Sequence, residues 1–146
     1  MDPYDLERFR RAQAGVFETA RAELRAGRKR THWMWFMFPQ LIGLGTSEAS
    51  RFYGIGSLAE AEAYLADPIL GPRLISLFEI ALGQAGVTAR EIFGAPDDLK
   101  LCSCATLFAS AVGASPVFAR AIERFFAGTA DARTLALLGE RDQLTG

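Results

Sequence analysis

The one histidine of the chain, His32, follows the basic run Arg28-Lys29-Arg30 by two residues, and both tryptophans, Trp33 and Trp35, come immediately after it. An imidazole trades a proton near neutral pH, which makes His32 the candidate catalytic residue, as a general acid or base. Cationic side chains such as Lys29 take phosphate or carboxylate groups, and an indole face takes a flat ring. Such a combination suits a small anionic, nucleotide-like ligand. A hydrolase built on His32 would also need a carboxylate to orient the imidazole, with Asp97, Asp98 or Glu60 available, or a serine nucleophile such as Ser47 or Ser103. Sequence spacing does not bring these together. The same residues equally read as structural: tryptophans in the core, a solvated basic loop, a hydrogen-bonded histidine.

Other searches narrow the chemistry. Gly43-Leu44-Gly45 and Gly54-Ile55-Gly56 lack the third glycine and the preceding strand of a dinucleotide fingerprint and read as turns. No phosphate loop, nucleophile elbow or helical pair of histidines is present. Cys102 and Cys104 would point about 200° apart on a helix, so they cannot readily bridge each other. A lone distant histidine does not complete a tetrahedral metal site with them. They read as small buried thiols, and no metal or cofactor is implied.

The elements that must position these residues are helices. Asp2-Pro3 opens a long first helix with Leu6, Phe9, Gln13, Val16, Phe17, Ala20 and Leu24 along one side, ended by Gly27. Thr46 caps a short helix through Tyr53. Ser57 and Glu60 form a capping box for residues 58–66, and Thr88 with Glu91 forms another before Gly94. Asp67-Pro68, Pro96 and Ser115-Pro116 start three more helices, and a last one runs from Asp131 to Leu138. No stretch alternates like a strand. The six apolar residues from Trp33 to Phe38 therefore read as a short central helix, with Thr31 as N-cap, His32 in its first turn and Pro39 as its limit. A first turn of this kind, with its free N–H groups, is a cradle for an anion. The expected fold is all-α, a single domain over residues 1–146 with about seven or eight helices by these start and stop signals.

Composition bounds the partners. With 146 residues, half of them hydrophobic, the chain can bury one substantial core. Its 16 basic and 17 acidic residues argue against a general nucleic-acid binder. No export signal or membrane span is visible, so a soluble cytoplasmic protein is expected, with no protein partner indicated.

At these residues the chain resembles the bacterial family known as domain of unknown function 1810. The likeness rests on Gly27-Arg28-Lys29, the run from His32 to Leu41, and Gly43-Leu44-Gly45. It continues through Glu60-Ala61, Ala63-Tyr64-Leu65, Leu70-Gly71-Pro72-Arg73-Leu74, Ile92-Phe93-Gly94, Asp97, Lys100-Leu101 and Thr106-Leu107-Phe108, which is nearly the whole chain. The resemblance implies a small helical protein without an established activity. Some members carry a calpastatin description, but calpastatin inhibitory segments are polar, repetitive and disordered, unlike this half-apolar chain. Where serines are usual between Lys100 and Thr106, this sequence has Cys102 and Cys104 around Ser103.

Residues that belong to the resembling stretches, or lie near them, and bring a polar or aromatic group beyond what a core requires are Lys29, His32, Trp33, Gln40, Tyr53, Arg73, Lys100 and Ser103. Several of them are expected to line one pocket, with cations on the anionic group and an aromatic ring against a ligand ring. An interaction module would instead show an exposed apolar patch, for which Phe125-Phe126 is the candidate.

Overall fold

A computed structural model describes the backbone of residues 2–145 and the side chains of residues 2–140. Ten helices appear among them: α1 (Glu7–Gln13), α2 (Phe17–Arg25), α3 (Met34–Met37), α4 (Glu48–Phe52), α5 (Leu58–Ala66), α6 (Leu70–Leu82), α7 (Ala89–Phe93), α8 (Asp97–Ala109), α9 (Pro116–Phe126) and α10 (Ala132–Thr145). The fold is all-α, as the periodicity predicts. The only bridge outside helices among the described residues pairs Leu41 with Ile55.

The start signals locate most of these helices. Ser57 accepts from the Glu60 N–H, Thr88 and Glu91 close a complete capping box, and Ser115 caps α9 with Pro116 behind it. The Asp67 carboxylate accepts from the N–H groups of Ile69 and Leu70 ahead of α6. Each bond satisfies an amide that the helix itself leaves unpaired.

Four boundaries differ from the expectation. The long first helix is two, because the chain breaks after Gln13 and Gly15 takes φ +77°, a left-handed conformation that glycine adopts freely. Asp2 still serves the start, accepting from Leu6 and Glu7. Ser47, rather than Thr46, caps α4. Glu60 leaves its box half made by turning its carboxylate to the Gly56 N–H and to Arg8. The last helix runs on past Leu138 to Thr145.

The central segment departs most. α3 is a single turn of four residues, and Thr31 does not cap it. The Thr31 hydroxyl donates to Glu23 instead, which leaves His32 outside the helix and removes the proposed first-turn anion cradle. Met34 and Met37 are buried within the turn, as are Trp33 and Phe38 at its ends, but Trp35 and Phe36 are only half-buried. The segment is therefore open on one side.

A chain of tilted and edge-on rings runs through the core. Phe9 meets Tyr64, Tyr64 meets Phe108, Phe108 meets Phe118, Phe118 meets Phe78, Phe78 meets Phe38 and Phe38 meets Trp33, all with centroids 5.0–5.8 Å apart. Such pairs add about 0.5–1.5 kcal/mol each beyond their buried area. The spine ties α1, α5, α6, α8 and α9 together and ends at Trp33, so the core itself fixes the segment that carries the candidate site.

Candidate cationic and aromatic cleft

The loop between α2 and α3 is organised by Glu23. Its carboxylate accepts from the N–H groups of Arg30 and Thr31, the Thr31 hydroxyl and the Trp33 indole. Burial pushes its carboxyl up, but these four donors outweigh that and lower it from the usual 4.5 to about 2. The Lys29 N–H is held by the Ile92 carbonyl at 2.6 Å. With the backbone pinned, Arg28 and Arg30 point to solvent and Lys29 turns inward.

Inside, the Lys29 ammonium lies 2.9 Å from one oxygen of Asp97, and the Lys100 ammonium donates to the other at 2.9 Å. The three side chains are only 11, 22 and 16% exposed for Lys29, Lys100 and Asp97 respectively. Asp97 and Lys100 sit three apart at the start of α8, a spacing that brings them together on one helix face. Burial raises the Asp97 carboxyl, but the hydrogen bonds and charges of the two lysines prevail and hold it below the ordinary carboxylate value. Each ammonium also lies over an indole, Lys29 at 5.1 Å from the Trp33 ring centre and Lys100 at 4.2 Å from that of Trp35.

These groups line a cavity of about 290 Å3 that also includes His32, Phe36 and Tyr53. Tyr53 is braced against Phe9, Phe36 and Phe52. His32 is exposed at the cavity, and no hydrogen bond or ion pair to its imidazole occurs among the described residues. A second cavity, of about 370 Å3, adjoins the first along Trp35 and Lys100 and is lined in addition by Gln40, Ser103 and Arg133.

Five of the eight sequence-derived binding residues, Lys29, His32, Trp33, Tyr53 and Lys100, thus meet in the first cavity. Gln40 and Ser103 belong to the second. Arg73 lies apart from both, its guanidinium over Phe17 and donating to Gln13. Trp33 is 1% exposed, its indole N–H taken by Glu23, so it contributes packing and one ring edge. Trp35, assigned to a buried helix by its apolar neighbours, is the more accessible indole. Glu23 carries no sequence signal at all, since its partners lie seven to ten residues away across a turn.

The remaining catalytic options are occupied or absent from the cleft. Glu60 is paired with Arg8 at 2.8 Å, and Asp98 lines neither cavity. Ser47 caps α4, and Ser103 donates to the Leu99 carbonyl. Cys102 and Cys104 are buried free thiols of α8, as their spacing suggested. Among the described residues no group of three acidic, histidine or cysteine side chains gathers as a metal site, and no helix is long and apolar enough to cross a membrane. Phe125 and Phe126 pack against the core and do not form an exposed patch.

The fold and the cleft together define a helical protein with a cationic, aromatic-walled hollow at the edge of its core. The chain belongs to the DUF1810 family of proteins of unknown function, whose profile matches residues 3–138. Its structure is similar to that of a conserved hypothetical protein from Mycobacterium tuberculosis, with a TM-score of 0.93 and 53% sequence identity over 94% of this chain and 99% of that one. Among curated proteins none matches the sequence.

Proposed function

We propose that this protein binds a small anionic, nucleotide-like ligand in the cleft between α3 and α8. The observation that carries the reading is the sharing of one carboxylate, Asp97, by the two ammonium groups of Lys29 and Lys100 inside a hollow walled by indole and phenol rings. Two cations against one anion leave an excess of positive charge. Low-dielectric walls concentrate its field, and an ammonium has three N–H donors, of which Asp97 needs only one from each lysine. The rest are available to a phosphate or carboxylate, while Trp35 and Tyr53 offer ring faces for stacking.

Binding accounts for the arrangement better than hydrolysis. His32 lines the cavity, yet Asp97, the carboxylate that shares it, is committed to two lysines and does not orient the imidazole. Thermal-shift and calorimetric titrations with inorganic phosphate, ribose 5-phosphate, AMP and IMP test the reading. A ligand that binds the native state raises stability by about 2.7 kcal/mol at a hundred times its Kd. The nucleotide shift is expected in wild type and lost in Lys100→Met. A shift that survives in Lys100→Met, or none with any probe, overturns the reading. Turnover of a bound nucleotide that disappears in His32→Ala would move the protein to the hydrolases.

A further inference from the structure

A third hollow, of about 450 Å3, is lined by Arg28, Lys29, Arg90, Glu91 and residues 92–94, and it meets the cleft at Lys29, which lines both. Backbone bonds set its frame. The Lys29 N–H is held by the Ile92 carbonyl, the Arg28 N–H donates to the Glu23 carbonyl at 3.1 Å, and the Gly94 N–H closes α7 on the Arg90 carbonyl at 2.8 Å. Arg28 thus comes to the hollow from the basic loop and Arg90 from α7. Both residues are exposed, and among the described residues neither guanidinium has a hydrogen-bond, ion-pair or ring partner. Glu91, the acidic residue of the lining, gives its Oε1 to the Thr88 N–H in the capping box and pairs with neither arginine. An unpaired arginine on a surface is ordinary, and the exposed Arg120 of α9 is another. Arg28 and Arg90 differ in lining a hollow that continues from the lysine pair. Three cations gather there around one carboxylate, in a chain whose formal net charge is -1.

We propose that this hollow seats a second phosphate, so that the site takes a nucleoside diphosphate in preference to a monophosphate. This rests on the anion-binding reading above and narrows its ligand class. Lys29 and Lys100 hold the phosphate next to the nucleoside, and Arg28 and Arg90 take the following one where the ligand leaves the cleft past Lys29. A guanidinium presents a fork of N–H donors that matches two oxygens of a phosphate, and it stays charged throughout the physiological pH range. Neither arginine gives up a partner to bind, so no existing pair has to break first.

Calorimetric titration of AMP, ADP, inorganic phosphate and pyrophosphate at one fixed ionic strength tests the assignment. In wild type ADP should bind at least about tenfold tighter than AMP, and pyrophosphate tighter than phosphate by a similar factor, the scale of one charge-assisted contact. Arg28→Gln and Arg90→Gln should each reduce that preference and the double variant should abolish it, with AMP affinity unchanged throughout. Arg120→Gln removes the same charge from a helix that lines neither cavity, and it should alter nothing. The arginine variants should melt with wild type, because exposed side chains without partners contribute little to stability. Equal affinities for ADP and AMP in wild type, a preference that survives in the double variant, AMP and ADP weakened in equal measure by the arginine substitutions, or the same effect from Arg120→Gln each overturns the second seat. The lysine site stands in those cases if AMP binds wild type and fails to bind Lys100→Met. Failure of every probe to bind wild type overturns both readings.

Discussion

The indole N–H of Trp33 donates to Oε1 of Glu23 at 3.0 Å, joining the end of the aromatic spine to the carboxylate that folds the basic loop. Through this bond the core determines where Lys29 stands, since the loop between Glu23 and Trp33 is the segment that carries it.

Glu23 should make the fold acid-sensitive. Its carboxyl falls from 4.5 to about 2 on folding, so its contribution is complete above the unfolded value and is lost as pH falls from about 4.5 towards 2. Linkage sets a ceiling of about 3 kcal/mol on that contribution, and partial solvent exposure lowers it. Urea unfolding at pH 3, 4, 5 and 7 should show stability falling through this window in wild type. Glu23→Gln should be less stable at pH 7 and flatter with pH. Parallel pH profiles for the two proteins would contradict the role given to the carboxylate.

The two tryptophans should report separately. Trp35→Phe leaves the buried Trp33 as sole fluorophore, and it should resist acrylamide quenching. Trp33→Phe leaves the half-buried Trp35, which should be quenched readily and should respond to nucleotide. Steady-state quenching on the two single-tryptophan proteins decides the matter, and equal accessibility would place Trp35 in the core instead.

Gly71→Ala tests the packing of α5 against α6. Helix propensity alone favours alanine here by about 1 kcal/mol. A Cβ at this position, however, would lie 2.1 Å from the Leu65 carbonyl oxygen, a backbone atom that cannot turn away. Overpacking of this kind costs about 1–3 kcal/mol or more, so a net loss is expected in chemical denaturation. A stabilised variant would mean that the two helices separate cheaply.

How far the sequence reaches is clearest at particular residues. Ser57, Thr88 and Ser115 announce their helices because a cap is a local event: the donor it satisfies lies two or three residues away. The half-buried position of Trp35 is not legible, because an unbroken apolar run looks the same whether it is enclosed or walls a cavity. The break at Gly15 leaves no trace in the periodicity, because Gln13, Val16 and Phe17 keep helical spacing across it. Asp97 and Lys100 share a readable three-residue step, but the arrival of Lys29 on the same carboxylate depends on Glu23 and on the Ile92 carbonyl, tertiary contacts with no local trace.

Asp97→Asn separates the structural share of the cation pair from its binding share. In wild type the lowered carboxyl of Asp97 contributes stability at neutral pH that disappears as pH falls through its folded value, which lies below the usual 3.8. The neutral amide removes that contribution and leaves two ammonium groups facing one another, a loss of roughly 1–2 kcal/mol for a pair that is only partly buried. An added anion can then stand where the carboxylate stood. Inorganic phosphate should therefore raise the melting temperature of Asp97→Asn more than that of wild type, and added salt of the same ionic strength should not reproduce the difference. If Asp97 merely ties α8 to the loop, phosphate will shift both proteins alike. A larger shift in the variant would show that Lys29 and Lys100 retain their affinity for an anion once their own carboxylate is gone.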